Sequence, residues 1–142
     1  MIKLSISVVC YKSPLNQLQS LIDSLVISIK YLQQHYTSPT ISVFLIDNSE
    51  ETSFLAGFCS CERERFKKIE VKLTRIAGHG NIGYGRAHNL TLNIIDSDFH
   101  LILNPDVTFE EDALFMAIDL MNQNKEIKAL GPNATDSCGN KQ

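Results

Sequence analysis

The sequence predicts a single α/β domain: a three-layer α/β/α arrangement around a mostly parallel sheet. Short β-branched apolar runs alternate with amphipathic stretches in the order β-α-β-α-β-α-β-α-β. That alternation implies parallel strands joined by crossover helices. The strand candidates are apolar almost throughout, as strands covered on both faces are. A chain of 142 residues suits one domain with one sizeable core.

The first strand is "LSISVVC", Leu4 to Cys10. Ser13-Pro14 follows, a serine N-cap with proline at the first helical position. Leu15, Leu18, Ile22, Leu25, Ile29 and Leu32 then recur at three- and four-residue steps, the apolar face of a long helix turned to the core. "YTSPT" ends it. "ISVFLID", Ile41 to Asp47, is the second strand, and "NSEETSFLAGF" opens a weaker helix with acids in its first turn. "VKLTRIA", Val71 to Ala77, is the third strand. A glycine-rich stretch and the helix "RAHNLTLNII" come next. "HLILN", His100 to Asn104, is the fourth strand, ended by Pro105. Thr108 to Glu111 spells a capping box, opening a helix with Leu114, Ile118 and Met121 inward. Glu110, Glu111 and Asp112 are partners of that helix's dipole in its first turn. "IKALG", Ile127 to Gly131, is a candidate fifth strand.

Composition narrows the function. Net charge is −3 with no basic run, which argues against a nucleic-acid partner. No apolar run approaches the roughly 18 residues of a membrane span. The opening "MIKLSISVVCYK" has no small-residue cleavage site and reads as a strand, not a signal peptide. Four cysteines are present: Cys10, Cys59, Cys61 and Cys138. Their spacing fits reduced thiols of a cytosolic protein and matches no zinc pattern.

In parallel α/β sheets, ligands bind at the C-terminal strand ends. Those ends carry Tyr11 and Lys12, Asp47 and Asn48, the stretch "AGHGNIGYGRAHN" (Ala77 to Asn89), and Asn104-Pro105-Asp106. Gly78, Gly80 and Gly83 spell G-x-G-x-x-G, the dinucleotide fingerprint. That fingerprint belongs in the first βα turn, with an acid at the end of the next strand. Here it follows the third strand. Asp96 and Asp98 precede the next strand, and Asp106 lies too far along. A nicotinamide oxidoreductase is therefore an alternative, not the leading reading. A purely structural role for the glycines, supplying positive φ, is another. A nucleotidyltransferase fits less well, because its glycine-rich signature follows the first strand.

The four strand ends can assemble a nucleotide site. An aromatic ring stacks on a base, a carboxylate accepts from a pyrimidine N–H, and an arginine pairs with phosphate. A carboxylate near a pyrophosphate can hold a divalent cation.

"ISVVCYKSP", "VFLIDNSE", "GNIGYGRAHN" and "LILNPDVTFEEDAL" together resemble the opening of family 2 glycosyltransferases of GT-A fold, most closely the rhamnosyltransferase-like branch that builds bacterial surface polysaccharides. The resemblance covers nearly the whole chain. It implies a donor site for a nucleoside-diphosphate sugar of UDP or dTDP type. Asp47 would bind the base, with Asn48 beside it. Val9, Cys10 and Tyr11 would line the base and ribose pocket, and Asn81, Gly83, Arg86 and Asn89 would lie near the ribose and diphosphate. "NPD" occupies the place of the D-x-D metal motif. Asp106 is the implied ligand for Mg²⁺ or Mn²⁺, and Asn104 offers a neutral oxygen where the motif has a carboxylate.

The implied reaction is inverting hexosyl or rhamnosyl transfer to a saccharide or lipid-linked acceptor. The resemblance places it in the cytoplasm, at the inner face of the membrane, with peripheral association of the full-length protein. Its catalytic base is expected beyond Gln142, so residues 1–142 read as one donor-binding domain cut before the acceptor half. The alternative from another class is a binding module that keeps a degenerate GT-A fold without chemistry.

Overall fold

The computed structural model describes residues 1–51, 53–132 and 135. Cys138 and most of the tail beyond Pro132 fall outside them. The elements run β1 (Lys3–Cys10), α1 (Leu15–His35), β2 (Thr40–Asp47), α2 (Ser53–Lys67), β3 (Val71–Ile76), α3 (Tyr84–Leu92), β4 (Phe99–Leu103) and α4 (Ala113–Gln123). The strands form one parallel sheet in the order β3-β2-β1-β4. The chain thus winds outward from β1 to β3, then returns across β1 to β4. A constant crossover hand puts α1 and α2 on one face and α3 on the other.

Side-chain alternation separates the two faces. Leu4, Ile6, Val8 and Cys10 of β1, Ile41, Val43 and Leu45 of β2, and Val71 and Leu73 of β3 meet Leu18, Leu21, Ile22, Leu25, Ile29 and Leu32 of α1. Leu55, Cys59 and Phe66 of α2 and Leu114 and Ile118 of α4 close the same core. Val9, Phe44 and Ile46 point the other way, onto Ala87 of α3. One face therefore carries three helices and the other carries one. Of the apolar stripe expected on α1, only Leu15 is exposed.

Helix starts differ from the sequence expectation. Pro14, not Ser13, occupies the N-cap position of α1, and its carbonyl accepts from Gln17 and Leu18 N–H at 3.1 Å each. The first turn of α2 holds no acid, because the helix begins at Ser53, after Glu50 and Glu51. The Thr108–Glu111 capping box does not form. Helix α4 starts at Ala113 with Asp112 at its N-cap, without a side-chain cap, so Glu110 and Glu111 lie outside the first turn. A buried hydroxyl from another helix partly replaces the missing cap, as Ser28 Oγ of α1 accepts the Leu114 N–H at 3.2 Å. The fifth strand is also corrected. Ile127 to Gly131 runs without strand pairing, and all but Ile127 is exposed. A segment with no neighbour and no buried face gains nothing by extending.

Candidate functional site

The strand order brings the C-terminal ends of β3, β2, β1 and β4 into one row. Cys10 stands in register with Asp47. The order reverses between β1 and β4, the switch point at which parallel sheets open a ligand crevice. The segments singled out in the sequence therefore converge on one edge of the sheet.

At the β2 end, Asp47 is buried, at 2% exposure. Its carboxylate accepts from Arg75 Nη2 at 3.2 Å and from the Ser49 N–H at 3.2 Å. The Arg75 side chain is itself only 22% exposed. Arg75 lies 28 residues from Asp47, and the parallel register of Leu45 with Arg75 makes them neighbours. Sequence reasoning missed this arginine. The available signal is the alternation Val71, Leu73, Arg75, which places a cation on the inward side of a strand.

Asn48 is buried next to it. Its Nδ2 donates to Asn81 Oδ1 at 2.9 Å, and its Oδ1 accepts the Ile82 N–H at 3.1 Å. Asn81 Oδ1 also accepts the Gly83 N–H at 3.1 Å. These two amides hold the glycine loop to the end of β2. Gly83 occupies the N-cap position of α3 at φ 84°, ψ 157°, a conformation essentially reserved for glycine. A Cβ there would meet no neighbouring atom. Backbone conformation, not crowding, selects glycine at that position.

Among the remaining site residues, Tyr11, Arg86, Asn89, Asn104 and Asp106 are exposed or half-buried at the rim. Lys12 adopts φ 49° at the end of β1, an uncommon conformation for a side-chain-bearing residue. Its Nζ lies 5.4 Å from the Tyr11 ring centroid, a cation–π contact. Val9 and Cys10 are each 4% exposed. Cys10 packs into the core under α1 and Val9 into the cluster under α3, so Tyr11 is the member of that trio at the surface. Burial pushes the Cys10 thiol up to about 12 and the Cys59 thiol to about 11, so both stay protonated near neutrality.

Tyr84, absent from the sequence candidates, is half-exposed at the start of α3. Burial and the nearby Asp106 carboxylate both hold its phenol proton on. One turn later its ring meets His88 edge-on, with centroids 4.4 Å apart and planes at 76°. His88, within the Ala77–Asn89 stretch, is buried at 4% exposure. Ser7 Oγ lies 2.7 Å from His88 Nδ1 and 2.9 Å from His100 Nε2. Ser5 Oγ lies 2.7 Å from both His100 Nδ1 and Ser97 Oγ. Burial lowers the pKa of both histidines, and His100 lowers that of His88 further.

No group of three or more His, Cys, Asp or Glu side chains converges to hold a metal ion among the described residues. A surface groove of about 520 Å³, lined by Met1, Asp98, Met121 and Lys128 among others, opens at the opposite, N-terminal end of the strands. None of the candidate site residues lines it.

The fold is an α/β half-domain with a four-stranded, all-parallel sheet, consistent with a Rossmann-like GT-A half. Among solved structures, the chain is similar to the crystal structure of S. aureus TarS 1–349, with a TM-score of 0.61 and 19% identity. That likeness covers 87% of this chain and 33% of the other, so the chain spans about a third of the protein it matches. At this identity the likeness shows the fold alone. No protein-family profile and no curated protein matches the sequence. No helix among the described residues is long and apolar enough to cross a membrane.

Proposed function

We propose that the chain is the donor-binding part of a glycosyltransferase that takes a nucleoside-diphosphate sugar. The observation that carries this reading is the row of strand ends. A clamped glycine loop stands at one end, after β3, a buried, arginine-held carboxylate (Asp47) lies beside it at the end of β2, and an exposed carboxylate (Asp106) stands across the switch point. In this reading Asp47 accepts from the base N–H, with Arg75 holding its charge. Tyr11 flanks the base, and Arg86 and Asn89 contact the ribose and diphosphate. Asp106, with the diphosphate, would hold Mg²⁺ or Mn²⁺, which offsets charge on a departing nucleoside diphosphate. Asn104 contributes a neutral oxygen beside it. Inverting hexosyl or rhamnosyl transfer to a saccharide or lipid-linked acceptor, at the cytoplasmic face of a membrane, is the activity this donor site would serve.

Calorimetric titration with UDP and dTDP, each with and without Mn²⁺, tests the proposal. Binding that strengthens with Mn²⁺ and loses that gain in Asp106→Ala is the expected result. Absence of nucleotide binding by a folded sample overturns it. The lone carboxylate at the Asp106 corner favours one second reading, a nucleotide-binding module without chemistry. In that case Asp106→Ala leaves the affinity in Mn²⁺ unchanged.

A further inference from the structure

We propose that Ser5, His100, Ser7 and His88 form a one-directional proton-coupled chain, with His88 a positioning residue beneath Tyr84 at the Asp106 corner of the site. The chain stands on contacts within this domain. Its bearing on ligand binding rests on the donor-site reading above.

Direction follows from counting protons. Four contacts link His88 Nδ1 to Ser7, Ser7 to His100 Nε2, His100 Nδ1 to Ser5, and Ser5 to Ser97. Each hydroxyl has one proton to donate, and each neutral imidazole has one N–H. With both rings neutral, and with the Ser7 proton given to one of the two imidazole nitrogens it touches, two arrangements satisfy the His88–Ser7–His100 contacts. In the first, Ser97 donates to Ser5, Ser5 to His100 Nδ1, His100 Nε2–H to Ser7, and Ser7 to His88 Nδ1. His88 then carries its proton on Nε2. In the second, the donors around Ser7 and His100 reverse, Ser5 gives its proton to Ser97 or to the Phe99 carbonyl at 3.4 Å, and His88 Nε2 is a bare lone pair. Ser7 has no third acceptor among these contacts, so the two imidazoles on either side of it turn over together.

The end of the chain is unfinished. His88 Nε2 is buried without a hydrogen-bond partner, and the ring it belongs to packs against Tyr84. Which tautomer His88 holds therefore decides whether an N–H or a lone pair lies beneath the residue facing Asp106. The other end is open, because Ser97 is only half-buried.

Added protons choose one direction. A charged His100 can donate from both nitrogens, to Ser5 and to Ser7, with every bond kept. Ser7 must then donate to His88 Nδ1, which forces the proton of His88 onto Nε2. A charged His88 would instead place the charge on the more deeply buried ring, since His88 is 4% exposed and His100 is half-buried. His100 is therefore the ring that takes the proton, and His88 reports it by changing tautomer.

The charged groups nearest the chain include Lys72 of β3 and Asp96, which line one cleft with Ser5 and Ser97. Lys3 of β1 is paired to Asp96 at 2.6 Å, and its backbone N–H donates to Asp98 at 2.8 Å. Tyr84 of α3 keeps its phenol proton, and Asp106 acts on Tyr84. Thr91, one turn beyond His88, directs its hydroxyl to the His88 carbonyl at 2.7 Å.

Nitrogen-15 spectra of the histidine rings, recorded on the whole chain as pH falls from 8 to 5, test the coupling. His88 is expected to move to the Nε2–H form with the same midpoint at which His100 gains its proton. Ser7→Ala should abolish the shared midpoint and displace the Tyr84 ring resonances. Should that variant not fold, His100→Gln removes the charging ring and should hold His88 in one tautomer across the range. Independent titration of His88, or Tyr84 resonances unmoved by either substitution, overturns the proposal. A chain that shows the coupling yet binds no UDP by calorimetry, with or without Mn²⁺, overturns the donor-site reading instead.

Discussion

The two faces of the sheet are built from the same four strands and differ in almost everything else. The face under α1, α2 and α4 is a continuous apolar core, with Ile6, Val8, Leu25, Ile29, Leu45 and Phe66 fully buried. The face under α3 has a small apolar cluster at its upper end and a buried hydroxyl–imidazole row beneath it. Apolar packing is non-directional, so the first face supplies stability that tolerates local adjustment. Hydrogen-bonded rows are directional, and each member left unpaired carries a desolvation cost. The second face therefore carries specificity and sensitivity to protons.

The largest expected effect is on the closed face. Leu25→Ala should lower unfolding free energy by about 2–5 kcal/mol, the range for cavities in well-packed cores. Chemical denaturation checks this. A loss below about 1 kcal/mol would show that the closed face collapses around a void as readily as a looser layer does.

Next comes acid on the α3 face. Both histidines have folded pKa values below the usual 6.5. The unfolded chain therefore binds more protons than the folded one as pH falls through about 6.5. Their contribution to stability is complete above that value and is lost toward the lower folded values, at up to about 1.4 kcal/mol per pH unit for each group. Denaturation midpoints at pH 7.5 and 5.5 measure it, and a Ser7→Ala, His88→Gln, His100→Gln chain should show a flatter dependence. Equal slopes in both chains would place the acid sensitivity elsewhere.

The smallest effect on stability belongs to the rim. Arg86 is exposed on α3, so Arg86→Ala should change stability by no more than about 0.5 kcal/mol. Nucleotide affinity should nonetheless fall by roughly tenfold or more, the scale of one hydrogen bond to a charged group. A large loss of stability here would mean that the rim also holds the fold.

Much of this contrast is legible in the sequence. The apolar steps of α1 and the β-branched runs locate the closed face, since periodicity reports burial directly. Helix starts are less legible. Ser13 and the Thr108–Glu111 box have the right residue types, but a cap depends on where the chain turns. The Leu114 N–H at the start of α4 finds its acceptor on Ser28, 86 residues away. The site is legible as a set of segments and not as a set of partners. Asn48 and Asn81 read as ligand contacts, and the fold gives each to the other. Arg75 and His100 escape a local reading, although each sits on a strand whose alternation marks which face it points to. Long-range pairing of this kind needs strand order and register, which local patterns do not contain.

The Asn48 clasp has a consequence for how such a site can change over time. Because the glycine loop takes its shape from an amide anchored in the sheet, the loop is ordered before any ligand arrives. Little conformational freedom remains to be lost on binding. Arg86 and Asn89 can then be exchanged one at a time without reshaping the backbone beneath them. The clasp separates the loop's architecture from its chemical vocabulary, so new side chains can be explored at the rim while the frame stays in place.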